Sequence, residues 1–223
     1  MLEKVEIGNC TLYHADCREV RHLLQGNLLL ADPPYGMGYK SNHNTGTGRK
    51  WCRDENFEPI EGDDKPFDPS IWLEYPKVVL WGGNYYSDRL PQNNAWLVWD
   101  KREGGTSDQQ ADCEMAWSNL PGPPRLYHHL WRGICRKGEE NISKGAEKLH
   151  PNQKPVALML WVIEQAKGQP GDVIVDPYMG SASMGVAAHR AGLKYIGVEK
   201  TRKHFETACS RLAAETAQMQ LAL

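Results

Sequence analysis

The chain has 223 residues and a hydrophobic content of 40%, enough to bury a core in one domain without staples. A formal net charge of −2 excludes a globally basic nucleic-acid binder. The six cysteines, at 10, 17, 52, 113, 135 and 209, form no CxxC pair, which argues against a cysteine-based zinc site.

In chain order, residues 5–7 and 11–13 read as short strands around Gly8-Asn9. Asp16 is placed to cap a short helix over 18–25. The run NLLLA at 27–31 is apolar after its first residue, as a parallel strand buried on both faces would be. It stops at Asp32-Pro33-Pro34. Residues 36–66 are loop-like. A helix is expected over 71–75, and strands over 78–81, 95–99 and 114–117. Residues 118–150 show no clear periodicity. A helix over 155–167 has proline in its first turn. Then follow a strand at 173–175, a helix at 181–191, a strand at 195–198 and a helix at 201–217. Strands alternating with helices predict an α/β fold with a parallel sheet. No apolar run reaches membrane-spanning length, and Leu2-Glu3-Lys4 does not open a secretion leader. The expectation is a cytoplasmic protein with free thiols.

Charge is distributed unevenly. Residues 36–53 carry Lys40, Arg49, Lys50 and Arg53 and no acid, and 125–137 carry Arg132 and Arg136 among Tyr127 and Trp131, again without acid. Basic stretches with interleaved aromatics suit a phosphate backbone and unstacked bases. Such a run, taken singly, is more often a solvated surface. Most tryptophans are core candidates, with Trp51 and Trp131 the expected exceptions. His128-His129 lacks ligand partners at helical spacing, so no metal is expected.

Three segments carry chemistry. Asp32-Pro33-Pro34-Tyr35 follows an apolar strand directly, where ligands bind in an open parallel sheet. The prolines stiffen the turn and remove two N–H donors. A carboxylate, exposed carbonyls and an aromatic face remain, a set that suits an exocyclic amine on a flat base. Asp32 and the Pro33 carbonyl accept from the amine while Tyr35 stacks. Taken alone, Asp-Pro-Pro is as often a plain turn. The second segment runs from Val173 through Asp176, Pro177 and Gly180 into a helix. Glu199 ends the next strand roughly 20 residues past Gly180, the spacing by which a βαβ unit holds ribose hydroxyls. An ordinary βαβ turn with a salt-bridged glutamate fits equally well. The run from Gly180 to Gly185 has the glycines of a P-loop, but Val186 stands where lysine is needed, which rejects triphosphate binding. The third segment is His150-Pro151-Asn152-Gln153-Lys154-Pro155. A helix N-terminus plus lysine favours an anionic group, although a plain proline-bounded loop fits this segment slightly better.

Together these segments resemble the amino-group DNA methyltransferases of the DPPY type, in the permuted (beta-type) order that puts the catalytic motif first. DPPY is similar to their catalytic motif, HPNQKP to their pre-helix motif and DPYMGS to their cofactor loop. YIGVE at 195–199 resembles the strand ending in the ribose-binding acid. Ala15-Asp16-Cys17 resembles the turn at the cofactor adenine, and VVLWGGNYY with LPQNNAWLVWDK resembles small phage-type members.

The resemblance implies a mostly parallel, seven-stranded Rossmann-like sheet flanked by helices. It implies one domain over 1–223, with 101–150 as a small target-recognition insert. It also implies transfer of a methyl group from S-adenosylmethionine to adenine N6 in DNA by base flipping. Asp32, Pro33, Pro34 and Tyr35 would be catalytic. Asp16, Cys17, Asn152, Gln153, Lys154, Asp176, Pro177, Gly180, Ser181, Ser183, Glu199 and Lys200 would bind the cofactor, with 152–154 at its methionine end. Lys40, Arg49, Lys50, Arg53, Arg132 and Arg136 would meet DNA.

A homodimer, a bacterial or phage-infected host cell and the shielding of DNA from host restriction complete the expectation. Cytosine-N4 methylation is the near alternative, disfavoured by aspartate at the first motif position. A methyltransferase-like fold that binds DNA without catalysis and an enzyme acting on RNA or protein amides are the others. One departure stands out. The family loop continues G-S-G-T, whereas this chain has Gly180-Ser181-Ala182-Ser183. Alanine resists a positive φ, while Ser183 keeps a hydroxyl.

Overall fold

The computed structural model describes residues 2–36, 63–105, 111–132, 135–138 and 153–221. Its strands in chain order are β1 (Glu3–Ile7), β2 (Cys10–His14), β3 (Leu28–Ala31), β4 (Lys77–Trp81), β5 (Leu97–Asp100), β6 (Cys113–Ser118), β7 (Arg125–His128), β8 (Trp131–Arg132), β9 (Cys135–Arg136), β10 (Val173–Asp176) and β11 (Lys194–Glu199). The helices are α1 (Val156–Gln165), α2 (Ser183–Arg190) and α3 (Arg202–Leu221). Nine strands form one sheet in the order β1-β2-β11-β10-β3-β4-β6-β5-β7, and β8 and β9 pair separately.

The five strands β2, β11, β10, β3 and β4 run parallel. Antiparallel pairs enter at β1–β2 and on both sides of β6. The α/β class and the parallel centre match the sequence reading, but the sheet has nine strands where seven were expected. The edge hairpin strand β1 and the strand β7 enlarge it. No periodicity marks β7, because a four-residue edge strand exposes most of its side chains (Leu126 is 55% exposed). Both β6 and β7 lie inside the stretch 101–150, yet both pair into the main sheet.

The leucine run of β3 shows why this centre forms. Leu28, Leu29 and Leu30 are all almost wholly buried. Successive side chains point to opposite faces, so Leu28 and Leu30 enter one core while Leu29 and Ala31 enter another. The first core is closed by α1 (Leu158, Met159, Val162), α2 (Met184, Val186, Ala187) and α3 (Phe205, Ala208, Leu212). The second is closed by single 3-10 turns and loop residues, with Val20, Leu24, Phe67, Trp72 and Tyr86 as the packing groups.

That second face corrects two expectations. The helix expected over 18–25 is only a 3-10 turn, Arg21–Leu23, and that over 71–75 is another, Ser70–Trp72. Pro76 and the Gly26-Asn27 corner leave no length for a full helix, and tertiary burial of Leu24 and Trp72 holds the short turns. Trp131, expected outside the core, is buried and donates its indole N–H to the Gln153 carbonyl at 3.0 Å. Among the described residues no helix is long and apolar enough to cross a membrane.

Candidate active site

Going from β3 the chain moves to β4 on one side, whereas from β10 it moves to β11 on the other. The sheet therefore reverses its winding between β3 and β10, and loops leaving these neighbours separate to form a crevice at the carboxyl edge. Their register, Ile174 beside Leu28 and Val175 beside Leu29, brings Asp32 and Asp176 out at that same edge. β2, β4, β5 and β11 end there too, so Asp16, Gly82 and Lys200 join them.

On the β3 side, the Tyr35 hydroxyl donates to one Asp32 oxygen at 2.6 Å. Lys154 Nζ holds the other oxygen and lies 3.4 Å from the Tyr35 hydroxyl oxygen. The ammonium also sits 3.3 Å from Glu114 Oε2 and 5.4 Å from the centre of the Trp81 ring. Lys101 Nζ binds the other Glu114 oxygen at 2.8 Å. Burial opposes both charges, but the partners outweigh it. The Lys154 pKa is held above its ordinary value by Asp32 and Glu114, and Glu114 is lowered to about 2 by Lys154 and Lys101.

Tyr35 stacks on Tyr85 with ring centres 5.2 Å apart and planes 14° from parallel. Its other neighbour is Gly82, in the left-handed region at φ +71, where a Cβ would fall 2.1 Å from the ring. Only glycine allows this approach.

On the β10 side, Asp176 accepts from the Tyr178 N–H at 3.2 Å and from the Tyr195 hydroxyl at 3.1 Å. Burial, aided by the Asp32 and Glu199 charges, pushes its pKa up to about 7. Glu199 turns inward at the end of β11. One of its oxygens accepts the Gly180 N–H at 2.9 Å, and the other accepts the Thr201 N–H at 2.8 Å. Gly180 has φ +52, and Ala182 also lies in the left-handed region at φ 56, ψ 38. The alanine thus takes the conformation it was expected to resist. Its methyl is fully buried, and that packing offsets a backbone cost of about 1–2 kcal/mol.

Asp16 follows β2 and pairs with Arg18 at 2.6 Å and Lys200 at 3.5 Å. Its pKa is held far below the carboxylate range, chiefly by Arg18. The Cys17 thiol beside it is pushed up by burial to about 11 and stays protonated. Three acids thus surround a turn with two left-handed residues. Acceptors of this kind fit a ligand that carries hydroxyls.

The Asp176 pKa gives a pH test. A carboxyl that keeps its proton longer folded than unfolded loses stability as pH rises toward its folded value of about 7. That penalty is absent below the ordinary carboxylate range and complete above about 7. Asp176→Asn removes the ionisation, so its melting temperature relative to wild type is expected to rise between pH 5 and pH 8. An offset equal at both pH values would show that Asp176 ionises normally.

Comparison with known proteins fixes the family. A family model described as DNA methylase (N6_N4_Mtase) matches residues 82–210. The Type II methyltransferase M.HinfI of Haemophilus influenzae is 34% identical over 249 aligned residues, covering 91% of this chain and 68% of that protein. The chain belongs to the N6/N4 DNA methylase family. A shorter stretch of 86 residues is 38% identical to the Type II methyltransferase M2.DpnII of Streptococcus pneumoniae, covering 39% of this chain and 30% of that protein.

Two solved structures share the fold. One is M1.HpyAVI in its SAM complex, at a TM-score of 0.52 and 21% identity over 91% of this chain and 99% of that one. The other is the cytosine-N4-specific PvuII DNA methyltransferase, at 0.56 and 13% over 97% and 96%.

In this DNA methylase the structure brings only some of the residues singled out from sequence together. Asp32 and Tyr35 meet at one side of the crevice, and Asp16, Cys17, Asp176, Gly180, Glu199 and Lys200 line the other. Ser181 and Ser183 face Arg211 of α3, whose guanidinium donates to the Ser181 carbonyl at 3.0 Å and the Ser183 hydroxyl at 2.9 Å. Lys154, expected at the methionine end of a cofactor, has its ammonium on Asp32 and Glu114. Lys40, Arg49, Lys50, Arg53 and Asn152 lie outside the described residues, as does the side chain of Arg132. Arg136 covers the Trp131 ring at 4.6 Å.

Glu114, Tyr85, Gly82 and Arg211 were missed. The Gly82-Gly83 pair after an apolar strand was the one available signal. Nothing local marks Glu114 or Arg211, whose partners lie in distant segments.

Proposed function

We propose that the chain transfers a methyl group from S-adenosylmethionine to the N6 amine of an adenine turned out of duplex DNA. One observation carries this reading: the Asp32–Tyr35 pair and the Asp176–Glu199 loops share one edge on either side of the winding reversal. Strands there lie about 4.8 Å apart, so an amine at Asp32 and a donor at Gly180 come within reach of each other.

The residues of the second loop fit the cofactor. The Glu199 carboxylate, already holding two backbone N–H groups, has lone pairs left for ribose hydroxyls. We assign Asp176 to the lining of the cofactor site, and Asp16 with Cys17 to its adenine end. The cofactor supplies an electrophilic methyl group. Asp32 and the Pro33 carbonyl accept from the two amine hydrogens and draw the nitrogen lone pair out of the ring. Pro34 holds the turn extended, and Tyr35 stacks on the base. The Asp32 carboxylate is then the nearest base for the proton the nitrogen sheds. Aspartate at this position supports adenine over cytosine. Contacts to the DNA backbone come from the basic stretches 36–53 and 125–137, with Arg136 on the second.

Labelled-methyl transfer from S-adenosylmethionine to DNA, followed by digestion to nucleosides and mass spectrometry, tests the reading. N6-methyladenine is expected. N4-methylcytosine would overturn the choice of base, and no label in DNA would overturn the catalytic reading in favour of a binding protein.

Glu199→Ala is expected to weaken the cofactor by roughly 1.5–3 kcal/mol, the worth of lost charge-assisted bonds, with less effect on DNA affinity. Calorimetry with a cofactor analogue showing unchanged affinity would remove Glu199 from the site.

A further inference from the structure

The lysine of the HPNQKP segment does not reach toward the loop after β10. Its ammonium is buried, with the side chain 8% exposed, and sits among Asp32, Glu114 and the Tyr35 hydroxyl. An ammonium has three donors, and three oxygens surround it here. Two of them belong to the pair assigned to the target amine. The third, Glu114, stands on β6 opposite Trp99 of β5, and Lys101 anchors its far oxygen at 2.8 Å. Two lysines and two carboxylates thus alternate in a chain with no net charge.

We propose that Lys154 and Glu114 are positioning residues for the methyl-transfer reaction, Glu114 holding the Lys154 ammonium so that it sets and then releases the Asp32 carboxylate. The inference rests on the reading of Asp32 as the acceptor for the target amine. In the state described, Lys154 and the Tyr35 hydroxyl each occupy one Asp32 oxygen. An arriving amine must take over part of that acceptor, and positive charge grows on its nitrogen as the methyl bond forms. Lys154 then has a second anion within 3.3 Å to which its charge can pass. Without Glu114, the buried ammonium would keep only Asp32 as an anionic partner among the described residues, and withdrawing it would strand a charge. The shift moves no bond other than hydrogen bonds, so atoms and charges balance without a co-reactant.

A double-mutant cycle tests this, with single-turnover methyl transfer, DNA KM and cofactor affinity as readouts. Lys154→Met is expected to lower the transfer rate roughly 100-fold, as misplacement of a reacting group does. Its cofactor affinity should stay within about twofold, because the ammonium lies on Asp32. Glu114→Gln should lower the rate roughly tenfold with DNA KM little changed, and Glu114→Asp should recover part of it.

In the Lys154→Met background, Glu114→Gln should add almost nothing, since it acts through the lysine. Full additivity would overturn the proposal, and a large loss of cofactor affinity in Lys154→Met would return the lysine to the cofactor site. Thermal melts identify any variant that fails to fold, and Glu114→Asp keeps the cycle usable in that case. Absence of transfer by the wild-type protein would instead count against the reading of Asp32.

Discussion

Asp32→Ala is expected to reduce methyl transfer roughly 100-fold or more, with cofactor affinity little changed. Under the proposed function, the alanine removes the acceptor that draws the amine lone pair toward the methyl donor, an interaction realised chiefly in the transition state. It also removes one of the two anions around Lys154 and the oxygen that orients the Tyr35 hydroxyl at 2.6 Å. Glu114 still pairs with the ammonium, so the fold should survive. Asp32→Asn keeps the size and one acceptor oxygen and separates the loss of charge from the loss of shape. Near wild-type turnover in Asp32→Ala would show that the catalytic assignment is wrong. Cofactor affinity falling together with rate would move Asp32 to the other half of the crevice.

The largest loss of stability is expected from Trp72→Ala. The indole is fully buried in the core on the helix-poor face, donates its N–H to the Tyr178 hydroxyl at 3.0 Å and meets that ring edge-on at 6.0 Å. Truncating a buried tryptophan costs roughly 3–5 kcal/mol, which lowers the melting temperature by roughly 6–20 °C in a chain of this size.

The effect should reach the loop after β10, the proposed cofactor loop, because Tyr178 stands between Asp176 and Gly180 and also packs on Phe67. Trp72→Phe keeps most of the packing and loses the hydrogen bond, so it should cost about 1 kcal/mol. A Trp72→Ala melt within about 2 °C of wild type would show that this face is held by other contacts. Unchanged cofactor affinity in a folded Trp72→Ala protein would uncouple the cluster from the loop.

Much of the fold was legible because its signals are local. The leucines of β3, the VVLW of β4 and the VIV that opens β10 are apolar in unbroken runs, as strands covered on both faces must be. The long helices α1 and α3 repeat their apolar residues over several turns. The short elements were not legible. Val20, Leu23 and Leu24, like Ile71 and Trp72, imitate a helical face over one turn, and each stretch expected as a helix forms only a 3-10 turn. Burial against Leu29 and Val78, not helical propensity, fixes them. The edge strand β7 buries too few side chains to alternate in sequence.

By itself the sequence determined the class of chemistry. Asp32-Pro33-Pro34-Tyr35 after a buried strand, with Asp176 to Glu199 in a βαβ unit, matches the pattern of an amine acceptor and a cofactor turn, and that pattern needs only local geometry. The tertiary structure decided who faces whom. Lys154 carries no mark that separates a ligand for a cofactor carboxylate from a partner of Asp32, because both need the same ammonium. Its choice depends on Glu114, 40 positions earlier in the chain, which the antiparallel turn of β6 brings to the same edge. Ala182 likewise takes its left-handed backbone only because the surrounding core buries its methyl. Electrostatic partners and packing are set by distance through space, and in a mixed sheet that distance is fixed only when strands from separate parts of the chain pair.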